Sequence, residues 1–147
     1  MLEPLSEESG IFMMRGIGWD ILVKSMRILR FLILKKTAVW MQTVFGWRIR
    51  WQGPALNTGY TVHVGTDAQY LALYCPADLQ KTPSDPDGFL GGLNHIGVCV
   101  RDLVACESRA KKAGFTPRDH AEYEPGSRFY FHDFDGIEYE VVSYSFE

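Results

Sequence analysis

Glu138 and Glu140 stand two residues apart near the end of the chain, with Ile137, Tyr139 and Val141 in the opposite phase. An extended strand puts both carboxylates on one face and the apolar residues on the other. Two carboxylates on a face serve either solvent or the wall of a polar cavity. His63 has a similar setting: Tyr60, Val62 and Val64 fall on the other face of its strand, and its imidazole is suited to acid–base work in a cavity or to a plain hydrogen bond at the surface. Trp47, Trp51, Tyr60, Tyr70 and Tyr74 have flat rings that can stack on a planar ligand or pack between sheet and helix. Arg48 and Arg50 can hold an anion or stay solvated. His132 precedes Asp133 at a turn, where capping is its expected use, and His120 sits beside Asp119 in a loop with no evident partner. There is no phosphate-binding glycine loop, nucleophile–histidine–acid set or zinc-ribbon spacing.

The elements that position these groups repeat. Thr37, a candidate N-cap, opens a helix over 37–45 that stops at Gly46; strands follow over 47–52, 60–64 and 70–74. In the first of these, Trp47, Ile49 and Trp51 alternate with Arg48, Arg50 and Gln52. Residues 77–92 are rich in Pro and Gly and read as a linker. A strand over 93–100 then leads to a helix over 103–113, N-capped by Asp102 and ended by Gly114. Phe115 opens the next strand, and strands at 128–132 and 137–144 flank a turn at 133–136. Phe45-Gly46-Trp47 recurs as Ala113-Gly114-Phe115, 68 residues later. Copies that cannot bury their own sheet faces must pack on each other. Four segments result: 1–36, an atypical extension or altered first strand; 37–76, a first module; 77–92, the linker; and 93–147, a second module.

With 147 residues, a single domain with a real core is expected. A net charge of -3 gives no case for nucleic acid. The charge is uneven: residues 1–50 hold eight Lys/Arg against four Asp/Glu, and the remainder seven against fourteen. Cys75, Cys99 and Cys106 are odd in number and form no CxxC pair, so a reducing, cytoplasmic setting is expected. Residues 11–34 are apolar but interrupted by Arg15, Asp20, Lys24, Arg27 and Arg30, which disfavours a transmembrane span or a signal peptide. Residues 31–34 suit either a strand or the start of a long helix.

The run LNHIGVCVRDL, a helix ending KKAGF, and RFYFHDFDGIEYEVV together resemble a module of the vicinal-oxygen-chelate superfamily, which includes glyoxalase I, bleomycin-resistance proteins and extradiol dioxygenases. The segment VFGWRIRWQG…GYTVHVGTDAQYLALYCP resembles the preceding module. The resemblance covers about 37–145 and implies an α+β fold of two βαβββ modules with curved mixed sheets enclosing a cavity. It also implies metal ligands on the first and last strand of each module, which here are His95 and Glu140 in the second. Imidazole and carboxylate suit zinc, nickel, iron or manganese. The matching positions of the first module fall on Met26 or Arg27 and on Leu71 or Ala72, none of which can complete the set, so any metal would be weakly held by a half-site.

The resemblance therefore supports three functions. One is binding of a small organic molecule by a resistance-type module, with or without a divalent metal. A second is a metal-dependent lyase, isomerase or dioxygenase acting on vicinal oxygens, with Glu140 as ligand or base and His63 as an auxiliary acid–base group. The third is a degenerate relative without a working site. Trp47, Tyr60 and Tyr70 are the candidate ligand contacts, and a homodimer is the candidate assembly, since relatives pair modules across two chains.

Overall fold

A computed structural model describes residues 26–30, 34–55, 58–77, 90, 92–123 and 126–144, with side chains from Leu34 onward. The acidic start, the basic apolar stretch before 26 and nearly all of the linker lie outside the described residues.

Two copies of one plan follow in order. The first is β1 (Met26–Arg30), α1 (Leu34–Phe45), β2 (Arg48–Pro54), β3 (Tyr60–Gly65) and β4 (Tyr70–Cys75). The second is β5 (Ile96–Cys99), α2 (Leu103–Lys112), β6 (Arg118–Tyr123), β7 (Gly126–His132) and β8 (Glu138–Tyr144). The sheets have matching orders, β1-β4-β3-β2 and β5-β8-β7-β6. In each, the first strand pairs parallel with the last and the other pairs are antiparallel. The architecture is α+β, with two mixed sheets. The βαβββ order of the first copy thus begins inside 1–36, at a five-residue strand paired with β4.

α1 starts three residues before Thr37, the N-cap expected from the sequence. Leu34 is already the first residue of a buried stripe that runs through Thr37, Ala38, Trp40, Met41 and Val44, so Thr37 lies inside the first turn. Gly46, at φ +72, ends the helix in the left-handed region that glycine tolerates best. α2 begins as expected: the Asp102 side chain accepts a hydrogen bond from the Ala105 N–H at 2.9 Å. Arg109, Lys111 and Lys112 lie in its last turn, where cations oppose the helix dipole.

Each helix packs on one face of its own sheet, and the two helices pack on each other. Arg109 Nε donates to the Val44 carbonyl at 2.8 Å, satisfying an acceptor in the last turn of α1. Trp40 of α1 reaches the second module, meeting Phe115, Phe131 and Tyr139 edge-on at 5.0, 5.8 and 5.1 Å between centroids. A single core therefore contains Val62, Val64, Leu71 and Leu73 of the first sheet with Ile96, Val98, Phe129, Phe131, Tyr139 and Val141 of the second. The opposite face of each sheet points away from that core, and the sheets do not close on each other within the chain. Among the described residues no helix is long and apolar enough to cross a membrane.

The turn between β7 and β8 is organised by Asp133 rather than His132. Asp133 Oδ1 accepts from the backbone N–H of Asp135 and of Ile137, each at 2.9 Å, and Oδ2 accepts from the Tyr139 hydroxyl at 3.3 Å. The shorter aspartate side chain folds back onto its own turn, whereas the imidazole of His132 stays exposed. Burial pushes the Asp133 carboxyl up to about 6 against the pull of these hydrogen bonds.

Two stability outcomes follow. The folded state binds the Asp133 proton more tightly than the unfolded chain, whose ordinary value is 3.8, so this group adds stability as pH falls from 7 through 6 toward 4. Asp133→Asn keeps the oxygen acceptor without the charge. Urea melts at pH 4.5 and 7.5 are expected to give a smaller pH difference for the variant, by up to about 3 kcal/mol. Trp40→Ala empties the contact between modules and is expected to cost about 3–5 kcal/mol in the same melts.

Candidate functional site

The open face of the second sheet gathers the polar groups. In β7, Phe129 and Phe131 turn to the core, which leaves Arg128, Tyr130 and His132 on the other side. In β8 the core takes Tyr139 and Val141, leaving Glu138 and Glu140 beside them. The register sets Tyr130 opposite Glu140 and His132 opposite Glu138. Gly97 of β5 pairs with Glu140, which brings His95, two residues earlier, over the same carboxylate.

The result is a compact network centred on Glu140. Its Oε1 accepts from Arg128 Nη1 at 2.9 Å and from the Tyr130 hydroxyl at 3.0 Å. Its Oε2 lies 3.2 Å from His95 Nε2. The Arg128 and Glu140 side chains are only 11% and 15% exposed, while His95 is 35% exposed and forms the accessible side. The Tyr123 ring covers the guanidinium, 4.1 Å from centroid to Cζ. Burial, then the hydrogen bond to Glu140 and its charge, raise the Tyr130 phenol above its usual value, so it is a proton donor at neutral pH. Desolvation pulls the Arg128 guanidinium down, but Tyr123, Tyr130 and Glu140 together outweigh it and keep it cationic. A second group lies alongside: Arg118 of β6 contacts Glu138 Oε1 at 2.5 Å, Asp119 Oδ2 at 2.5 Å and His132 Nδ1 at 3.1 Å.

The open face of the first sheet is aromatic. His63 stacks on Tyr70 with centroids 4.8 Å apart, and Trp51 lies 5.2 Å from His63. Arg50 Cζ lies 5.0 Å from the Tyr70 ring. Strict alternation would separate Arg50 from Trp51. A register shift between Ile49 and Trp51 breaks the alternation, so both reach this face. Burial, and then the Arg50 charge, lower the His63 imidazole, favouring its neutral form. Arg48 pairs with Asp67 and Arg50 Nη1 donates to the Thr66 carbonyl at 3.2 Å.

The remaining candidates lie elsewhere. Trp47 packs on Phe45 at 4.9 Å, against the core. Tyr60 stands at the end of β3 in the phase of Val62 and Val64, partly exposed. His120 Nε2 lies 3.1 Å from Glu107 Oε1, a partner supplied by α2. Arg128, Tyr130 and Arg118 escaped the sequence reading. Arg128, Tyr130 and His132 alternate with Phe129 and Phe131 in RFYFH, and that alternation was the available signal.

Register also tests the metal expectation. Glu140 is paired with Tyr130 on one side and Gly97 on the other; Ala72 holds the same slot in the first sheet, between His63 and Ile28. The position two residues before Ile28, the counterpart of His95, is Met26. The second sheet thus offers His95 Nε2 and Glu140 Oε2 and the first offers no oxygen or imidazole donor at the matching slots. Among the described residues no group of three or more His, Cys, Asp or Glu is arranged to hold a metal. Glu140 is already charge-paired with Arg128. These residues do not fit a resident divalent metal.

No protein-family model matches the chain, and no curated protein matches it. Solved structures do. A glyoxylase/bleomycin resistance protein/dioxygenase domain from Frankia sp. EAN1pec superposes with a TM-score of 0.70 at 20% identity, over 84% of this chain and 91% of that one. The fosfomycin resistance protein FosX of Listeria monocytogenes, solved with Mn(II) and sulfate, gives 0.61 at 18% identity, over 82% and 91%. Glyoxalase I of Zea mays, as its V278E mutant, gives 0.65 at 15% identity over 80% of this chain, which spans 43% of that longer protein. The matched βαβββ copies, their strand orders and these superpositions agree: the chain has the vicinal-oxygen-chelate fold.

Proposed function

We propose that this protein binds a small organic molecule on the open face of the second sheet, using His95, Tyr130 and Glu140 as its polar contacts, without a resident divalent metal. The observation that carries this reading is the Glu140 network. Arg128 and Tyr130 fix one carboxylate oxygen, and His95 stands over the other at the accessible side. A carboxylate held by two donors is a rigid recognition element, and its charge is already balanced by the neighbouring guanidinium. FosX has been solved with a dihydroxypropylphosphonic acid, which supports a ligand carrying adjacent oxygens for this fold. Neither Glu140 oxygen projects freely as a base, which favours binding over proton abstraction as the primary role.

A homodimer completes the pocket in this reading. The two open faces of one chain point away from its core, so a walled cavity needs the aromatic face of one chain over the polar face of another. Trp51, His63 and Tyr70 would then supply the apolar wall that small-molecule sites require. Three cysteines without disulfides support a reducing, cytoplasmic setting.

A thermal-shift screen of α-hydroxy acids, catechols and diol phosphonates is the direct test, because a bound ligand raises the melting temperature by mass action. For a positive compound, Tyr130→Phe is expected to weaken binding about fivefold to tenfold, the worth of one hydrogen bond, and His95→Ala by at least as much. Sedimentation is expected to give twice the chain mass, and Trp51→Ala to weaken the same compound. Positive compounds indifferent to His95 and Tyr130 would defeat the assignment.

A further inference from the structure

The misfit between the His95–Glu140 pair and a metal has an identifiable cause. His95 Nε2 and Glu140 Oε2 lie 3.2 Å apart, a separation compatible with two atoms sharing one cation. What opposes a cation there is a third group. Arg128 Nη1 donates to the other oxygen of the same carboxylate at 2.9 Å, and its side chain is 11% exposed. A dication bound by Oε2 would share one carboxylate with a guanidinium already beneath the surface. In so dry a setting like charges repel far more than they do in water.

The placement of Arg128 is not explained by hydrogen bonding alone. Its Nε is buried and has no hydrogen-bond partner among the described residues. Its Nη2 reaches only the Gly126 carbonyl at 3.4 Å. A buried N–H without an acceptor is costly. The side chain is nonetheless held under the Tyr123 ring and against Glu140. A neutral side chain at this position would leave Glu140 with Tyr130 and His95, and the carboxylate would need another cation.

We propose that Arg128 is the built-in counter-ion that excludes divalent metal from the His95–Glu140 pair, and that a neutral side chain at this position unmasks a two-donor metal site. The guanidinium takes over the charge balance that a metal would supply and leaves the carboxylate geometry to Tyr130. Tyr130 contributes a hydrogen bond but no charge, so its removal tests geometry separately from electrostatics.

Titration calorimetry with Ni(II) and with Mn(II) reads the effect directly, on the full chain and in the absence of any organic ligand. Arg128→Met preserves the length of the side chain and is expected to bind Ni(II) at least about tenfold more tightly than the unaltered protein. Adding His95→Ala to Arg128→Met is expected to abolish the gain, which separates this site from the other surface histidines. Arg128→Lys keeps the charge and is expected to gain nothing. Tyr130→Phe is expected to change affinity less than about threefold, since it removes one neutral donor. Circular dichroism checks each fold, and Arg128→Gln replaces Arg128→Met if the latter does not fold. The proposal is overturned if a folded neutral variant binds no more tightly than the unaltered protein, or if the unaltered protein already binds metal stoichiometrically through His95. It is also overturned if the gain survives His95→Ala. The ligand screen on the unaltered protein does not depend on these outcomes, so the proposed organic ligand stands or falls separately.

Discussion

The indole of Trp40 is the contact on which the two halves depend. It sits on a helix of the first module, yet its ring edges meet Phe115, Phe131 and Tyr139 of the second. Those partners fix the inner face of β7 and β8. Because strand residues alternate, fixing Phe131 and Tyr139 inward also fixes Tyr130, Glu138 and Glu140 outward. The polar face is thus the reverse side of the aromatic core. A one-residue slip of β8 against β7 would bury Glu140 and expose Tyr139, so the packing of apolar rings specifies where the carboxylates stand.

The two open faces have opposite chemical characters. On the second sheet, Arg118 with Glu138 and Arg128 with Glu140 balance charge locally, strand by strand. Such a face selects ligands through hydrogen-bond geometry and shape more than through net charge. The first sheet substitutes rings for ions: His63 occupies the register slot of Tyr130, and Ala72 that of Glu140. One module therefore keeps the polar machinery and the other a stacking surface, although their backbones follow the same order.

Much of this was legible in the chain. Gly46 and Gly114 mark the helix ends because each adopts positive φ, and they announce the repeat. The alternation around Glu138 and Glu140 gave their common face, and Asp102 its cap. Other features lack a local signal. The strand at Met26–Arg30 owes its pairing to β4, which lies far along the sequence, and three of its five residues are apolar without alternation. Helix α1 extends back to Leu34 because tertiary packing buries that residue. The bulge at Arg50 has no turn residue to flag it. Arg128 reads as a solvated charge in any strand, and only its cross-strand partners Tyr130 and Glu140 reveal otherwise. Asp133 and His132 are neighbours, and choosing the capping residue required knowing which one the turn buries.

The parallel pairing of first strand with last has a consequence for the order of folding. β2, β3 and β4, like β6, β7 and β8, are joined by short connections and pair with their sequence neighbours. By contrast Met26 meets Tyr70, and Ile96 meets Tyr139, only after the whole intervening module has been laid down. Closing so long a loop carries an entropy cost that the antiparallel pairs do not bear. Assembly of each half therefore proceeds from its three-stranded meander, with the first strand docking late. His95 joins Glu140 in that last step, so the recognition site is completed only as the module closes.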